Sequence, residues 1–106
     1  MDAAFGTVAL LSAATATGAG EAHSPAAAKR TFQVTGTTSS GSGAATIKIQ
    51  VSNNNSAWLD LAVISLTLST SAASDGFASD APWKYVRANI TAISGTGAAV
   101  TALMGA

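Results

Sequence analysis

The chain has 106 residues, which is enough for one domain with a single modest core. Hydrophobic residues make up 48% of the chain but aromatic residues only 6%, so the core must consist largely of alanine and aliphatic side chains. Charged residues make up 9%, and five basic side chains balance five acidic ones. This neutral, charge-poor composition has no basic stripe and argues against a nucleic-acid partner.

Residue counts exclude several kinds of site. The chain has no cysteine and one histidine, so disulfides and thiolate metal sites are excluded and most zinc and catalytic constellations lack their residues. No segment approaches the run of about 20 apolar residues that a membrane span needs. We therefore expect no cofactor, no metal site and no membrane partner.

The chain is predicted to form a single β-sandwich domain over residues 1–106, with residues 1–28 as a candidate arm and loop. Phe5 to Leu11 is interpreted as a first strand, and an arm that pairs with a neighbouring subunit is the alternative. Asp2 is the one early charge, so a signal peptide is not expected. His23 lies in the loop and is expected to be solvated. As an arm, the segment would place four apolar residues in an interface: Phe5, Val8, Leu10 and Leu11.

Two segments of alternating polarity follow the loop. Lys29 to Thr35 predicts a strand with Phe32 and Val34 facing inward, and Thr46 to Ser52 is the clearest strand in the chain. Between them, the serine, threonine and glycine residues of Gly36 to Gly43 predict a flexible loop. In the second strand the inward residues are Ile47, Ile49 and Val51, and Lys48 and Gln50 face water.

A turn and a returning strand come next. Asn53 to Ser56 is a predicted turn, because asparagine tolerates left-handed backbone angles. The returning strand begins at Trp58, which is expected to lie in the core. Its inward phase slips between Val63 and Ile64, which predicts either a β-bulge or a strand that passes from one sheet to the other.

The C-terminal third is predicted to be a β-hairpin. Asp75-Gly76 is a turn signal, and Phe77 is expected to close one end of the core. From Trp83 onward polar and apolar residues alternate up to a glycine-containing turn at residues 94–97, and Ala98 to Met104 forms the second strand. The inward residues of the first strand are Val86, Ala88, Ile90 and Ala92.

The pattern as a whole predicts an all-β fold. Helical periodicity is absent, and six or more short strands are separated by turns rich in glycine, asparagine and serine. This arrangement is typical of a single antiparallel β-sandwich or jelly roll.

No enzyme activity is expected. A glycosidase needs two carboxylates at a defined separation, and Asp75 and Asp80 could approach each other in one loop, but both also fit as turn-capping residues. Asp75-Gly76 lacks the serial oxygen ligands of a calcium loop. The remaining candidate cluster is aromatic and basic, and such residues are enriched at interfaces. On the predicted alternation Tyr85 and Arg87 face away from the core, and with Trp83 they are candidate interface residues.

Two segments resemble the small β-sandwich virion proteins of tailed bacteriophages. Residues 51–61, VSNNNSAWLDL, resemble a Ser-Asn-(Asp/Asn)-Gly-x-x-Trp hairpin of those proteins, with Asn55-Ser56 where glycine is usual. Asp75-Gly76-Phe77 followed by residues 82–90, PWKYVRANI, resembles a Tyr-Val-Arg strand and glycine-rich hairpin near their C-termini. The resemblance covers residues 31–105, and neither pattern is catalytic.

The resemblance implies a capsid decoration (cement) protein that binds the outer shell and holds neighbouring capsid subunits together. Its expected partners are the major capsid protein and further copies of itself. Its expected location is the outer capsid surface of the virion, after synthesis in the host cytoplasm. A small neck or tail component is the alternative within the same group.

A carbohydrate-binding sandwich module of a tail fibre is an alternative of another class. It would use Trp58, Trp83 and Tyr85 as stacking platforms, and it predicts exposed aromatic residues along one groove. A cement protein predicts a protruding terminus and an extended apolar contact surface instead.

Overall fold

Eight β-strands form two sheets in the computed structural model, which describes residues 7–20, 22–24, 30–79 and 83–105. The strands are β1 (Thr7–Ala14), β2 (Gly18–Ala19), β3 (Arg30–Thr37), β4 (Ser40–Ser52), β5 (Leu59–Leu68), β6 (Ala73–Ser79), β7 (Tyr85–Thr96) and β8 (Ala99–Gly105). Sheet A has the order β1-β8-β3-β6, and sheet B has the order β2-β7-β4-β5. Neighbouring strands are antiparallel throughout. The described residues include no helix capable of spanning a membrane.

The two sheets pack face to face, which confirms the prediction of an all-β antiparallel sandwich. The molecule is a slab with extents of 39 × 36 × 17 Å. The jelly roll that the sequence analysis offered beside the sandwich stays a prediction.

The core lies between the sheets and is lined by every second residue of the longer strands. On β3 and β8, for example, buried positions alternate with accessible ones along the whole strand. Successive side chains of a strand point to opposite faces, so this alternation lines the inner face of each sheet with apolar groups. Burial confirms the predicted inward facing of two residues on β3 and three on β4: Phe32, Val34, Ile47, Ile49 and Val51.

β1 is an edge strand of this sandwich and pairs with β8. The register shifts between Ala9 and Leu11, so Leu10 is an extra residue, and both leucines are buried in the core at 3% and 8% exposure. A bulge of this kind turns two consecutive side chains towards the same side. The strand interpretation of Phe5 to Leu11 is confirmed from Thr7 onward, and Phe5 and Gly6 lie outside the described residues. The interface assignment of Leu10 and Leu11 is wrong because their own chain buries them.

Two of the three register shifts in the described part of sheet B explain where the alternation predicted from sequence changes phase. In β5, Leu61 is the extra residue between Asp60 and Ala62, two residues before the predicted slip. In β7, Thr91 is the extra residue between Ile90 and Ala92. Ala92 is therefore exposed rather than inward, and Ile93 packs against the core instead.

The predicted C-terminal hairpin is wrong, because β7 belongs to sheet B and β8 to sheet A. Gly95 and Gly97 have φ angles of 116° and 64°, which glycine adopts without steric cost. Through this turn the chain crosses from one layer of the sandwich to the other. β8 pairs with β1 and β3, which are both distant from it in sequence.

Two predicted connections are parts of strands. β3 ends at Thr37 and β4 begins at Ser40, so the expected flexible loop of residues 36–43 shrinks to two residues. The turn signal Asp75-Gly76 lies inside β6, where Gly76 pairs with Gln33. A Cβ at Gly76 would collide with the carbonyl oxygen of Phe32, so this glycine serves close strand packing and not a turn.

Candidate functional site

A connected set of polar and aromatic side chains lies on the outer face of sheet B. The Arg87 guanidinium stacks over the Trp58 ring at 4.2 Å from its centroid, and Arg87 Nε donates to Gln50 Oε1 at 2.9 Å. Gln50 Nε2 donates to Asp60 Oδ1 at 2.9 Å, and Lys48 Nζ lies 3.1 Å from Asp60 Oδ2. We call these five residues the Gln50 network.

Strand register builds the Gln50 network. Gln50 on β4 lies opposite Arg87 on β7 and opposite Asp60 on β5, so its amide bridges three adjacent strands. Directly opposed residues of antiparallel strands point to the same face, which brings these three side chains together. Sequence analysis missed the network, because the bulge at Leu61 changes which residue of β5 faces Gln50.

The charged groups of the network are paired with neighbouring side chains at the protein surface. The hydrogen bond from Gln50, followed by the interactions with Lys48, holds the pKa of Asp60 below its ordinary value. Each polar group named in the network has a partner, and exposed ion pairs contribute little stability. The arrangement orients an arginine and a tryptophan on the surface, and its lysine and its carboxylate are paired with each other.

The two tryptophans have exchanged their predicted places. Trp58, which was expected in the core, is half-buried on the outer face under Arg87. Trp83, which was expected at an interface, is half-buried and packs against the core. Tyr85 is half-buried, and Lys84 Nζ lies 5.4 Å from its ring centroid.

The turn before Trp58 matches its prediction. Ser52 Oγ accepts hydrogen bonds from the backbone N–H groups of Asn54 and Asn55 at 3.1 and 3.0 Å. Asn54 Oδ1 accepts from those of Ser56 and Ala57 at 3.0 and 2.9 Å. Asn55 has a left-handed φ of 58°. This turn places Trp58 beside Arg87.

The outer face of sheet A has the opposite chemistry. Register turns uncharged side chains of β3, β6 and β8 outward. The exposed Asp75 of β6 lies opposite the buried Val34 and therefore on the inward phase, so the outward residues that the structure describes on these strands include no charged one. A depression of about 260 Å³ on this face is lined by Thr31, Phe32, Gln33, Leu103 and Gly105. In the sequence Thr31 and Gln33 belong to the polar half of the alternation in β3, and nothing in that pattern distinguishes such a face from ordinary solvated surface.

The structure does not gather the predicted interface residues into one patch. Phe5 lies outside the described residues, and Val8 lies on β1 opposite Met104. Leu10 and Leu11 are in the core, and Trp83 packs against it. Tyr85 and Arg87 are on β7, where they flank the buried Val86.

His23 is half-buried, not solvated as expected. Its backbone N–H and carbonyl exchange hydrogen bonds of 2.9 Å with Val86. Its Nε2 is buried and has no hydrogen-bond partner among the described residues. Within the same residues no cluster of acidic and histidine side chains could hold a metal ion.

The aromatic side chains do not line a common groove within the described part of the chain. Trp58 is stacked with Arg87 on sheet B, Trp83 packs against the core, and Phe32 stacks on Phe77 at 4.8 Å between ring centroids. The depression lies on the other sheet, with Phe32 as its one aromatic lining residue. This distribution does not favour a sugar-stacking platform.

Fold and surface together define a charge-poor β-sandwich with one uncharged outer face and one polar, aromatic outer face. Comparison with known protein families, with curated proteins and with solved structures finds no match in any of the three.

Proposed function

We propose that this protein is a capsid decoration protein of a tailed bacteriophage, which binds across neighbouring subunits of the major capsid protein through the outer face of sheet A. The observation that carries the proposal is the uncharged character of that face. It agrees with the family resemblance of residues 31–105, which implies a structural virion component.

The chemistry of the two faces supports docking through sheet A. Removing a charged group from water costs several kcal/mol per ion even when it has a partner, so a face that carries Lys48, Asp60 and Arg87 is the poorer docking surface. The sheet A face presents threonine, alanine, serine and glycine around Leu103 and Gln33, and removing water from these uncharged groups costs less than removing it from ions.

The slab is also large enough. Its two long extents are 39 and 36 Å. The area of each outer face therefore exceeds the area that a standard interface buries on each partner, which is about 800 Å². Binding at many equivalent junctions of a shell adds up to strong stabilisation even when each contact is weak.

The test is binding of the purified protein to shells of the phage that encodes it, prepared without the protein. Gln33→Lys places a charge in the middle of the sheet A face, and we expect it to weaken binding at least about tenfold. Thr91→Lys places the same charge at an exposed position of β7 in sheet B, and we expect binding to be retained.

A reconstruction of the virion by electron microscopy gives the location. Density for the slab on the outer shell, with sheet A against the capsid, is the expected result. Density at the neck or tail would replace the proposal with the related alternative. Absence of the chain from the particle, or glycan binding that depends on Trp58 or Tyr85, would overturn it.

A further inference from the structure

We propose that the free edge of β5 joins two copies of this chain, by antiparallel pairing of β5 with β5 of a second copy around a two-fold axis at Ser65. The two sheets B would then form one continuous sheet of eight strands. This inference stands on the geometry of β5 and does not depend on the proposed function.

The four sheet edges in the described structure differ in how well they could accept another strand. β1 has two register shifts and a left-handed residue, Ala13, with φ of 49°. β2 has two residues. β6 has seven residues and carries the exposed Asp75 followed by Gly76. Irregular, short or charged edges of this kind resist pairing.

β5 carries a bulge at Leu61 and a charge at Asp60, but from Ala62 onward it lacks these protections. It has ten residues, and from Ala62 to Leu68 its register with β4 is uninterrupted. Within the described part of the chain β5 pairs with β4 alone, so the backbone groups on its other side face away from the sheet. A long, regular edge with free N–H and C=O groups is a template for a further strand.

The side chains of β5 favour a second copy of β5 as the strand that pairs with this free edge. Val63 is 55% exposed, and Ser65 and Thr67 are exposed on the same face. Around a two-fold axis at Ser65, the two Ser65 residues oppose each other and Val63 of each copy opposes Thr67 of the other. Pairs of hydroxyl and β-branched side chains are favourable across antiparallel strands.

Charge also permits self-pairing. No residue from Leu61 to Ser74 is charged, so the two-fold brings no like charges together along this edge. Asp60 lies outside the paired segment and is bound by Lys48 and Gln50. An isologous contact must be complementary to itself, and this strand meets that condition.

Disulfide trapping tests the pairing, because the chain has no cysteine of its own. Ser65→Cys places two thiols directly opposite each other, with Cα atoms about 4.5–5.5 Å apart, within disulfide range. Thr67→Cys moves the two thiols four residues apart along the strands, roughly 13 Å, which is too far. We expect a covalent dimer on oxidation of Ser65→Cys with copper phenanthroline, and little with Thr67→Cys or with Ser12→Cys on β1.

Sedimentation measures the association without a cross-link. The unmodified protein should form dimers at micromolar concentration, and Ser65→Asp should raise the dissociation constant about tenfold or more, because two carboxylates then face each other. Ser12→Asp, an exposed position on β1, should leave it unchanged. Denaturation of each variant verifies that the fold is intact. A monomer at all concentrations, equal cross-linking of all three cysteine variants, or a dimer unaffected by Ser65→Asp would overturn the inference.

Discussion

At the scale of single residues, β4 separates core from surface within one strand. Ile49 is fully buried, and Lys48 beside it is half-buried on the outer face with its ammonium group against Asp60. The two side chains differ in what their removal costs, because one leaves a cavity and the other breaks an exposed ion pair.

We expect Ile49→Ala to lower the free energy of unfolding by about 2–5 kcal/mol. Lys48→Ala is its matched control, one residue away, and should change it by no more than about 0.5 kcal/mol. Urea denaturation of both variants gives the two values. Equal losses would mean that the strand faces the other way.

The Gln50 network makes a prediction about protonation. Gln50→Leu removes the donor to Asp60 and should raise the pKa of that carboxyl towards its ordinary value. Because the pKa of Asp60 is lowered in the folded protein, its ionised form favours folding above the ordinary pKa, and this contribution is lost as the pH falls through the folded pKa.

An NMR titration of the Asp60 carboxyl measures that change. Gln33→Leu, which removes an exposed glutamine from sheet A, should leave the pKa of Asp60 where it is. If Gln50→Leu also leaves it unchanged, the hydrogen bond from Gln50 is not what lowers it.

At the scale of whole elements, β1 is a strand of sheet A that contributes to the core and is not a free arm. Its two leucines are buried against β8 and the core. Burial of a leucine is worth about 1.5–3 kcal/mol, so the pair represents a large share of a total stability of about 5–15 kcal/mol.

Deleting residues 1–14 should therefore destabilise the protein by about 3–6 kcal/mol. In the full-length chain, changing both Leu10 and Leu11 to alanine should reproduce most of that loss. Ala9→Ser, at an exposed position of the same strand, should have almost no effect. Thermal unfolding of the three variants, followed by circular dichroism, measures these changes. An unchanged midpoint of unfolding after the deletion would mean that the segment is an arm and not a strand of the core.

At the scale of the whole molecule, the two proposals fit together in one geometry. A two-fold axis that relates two antiparallel strands runs perpendicular to their sheet. Rotation about this axis leaves the outer face of sheet B on the same side of the joined sheet in both copies. In a dimer paired through β5, both sheet A faces therefore point in the same direction. Such a dimer could dock on a shell with two equivalent faces at once, and the second contact would benefit from a high effective concentration.

The sequence alone determined the all-β class, the facing of the clearest strands and the Asn53 to Ser56 turn. These features depend on local patterns: a period of two in polarity, and side chains that cap their own backbone. It also determined a charge-poor surface, since composition fixes how few ionic side chains there are to distribute.

Only the tertiary structure decided which strands pair and where the alternation breaks. The turn at Gly95 and Gly97 has the composition of a hairpin, yet it connects two sheets because β8 is held by β1 and β3. The extra residues Leu10, Leu61 and Thr91 are bulges only relative to their partner strands. Pairing between distant segments leaves no mark on a local pattern, and for that reason the Gln50 network and the free edge of β5 became visible only in the fold.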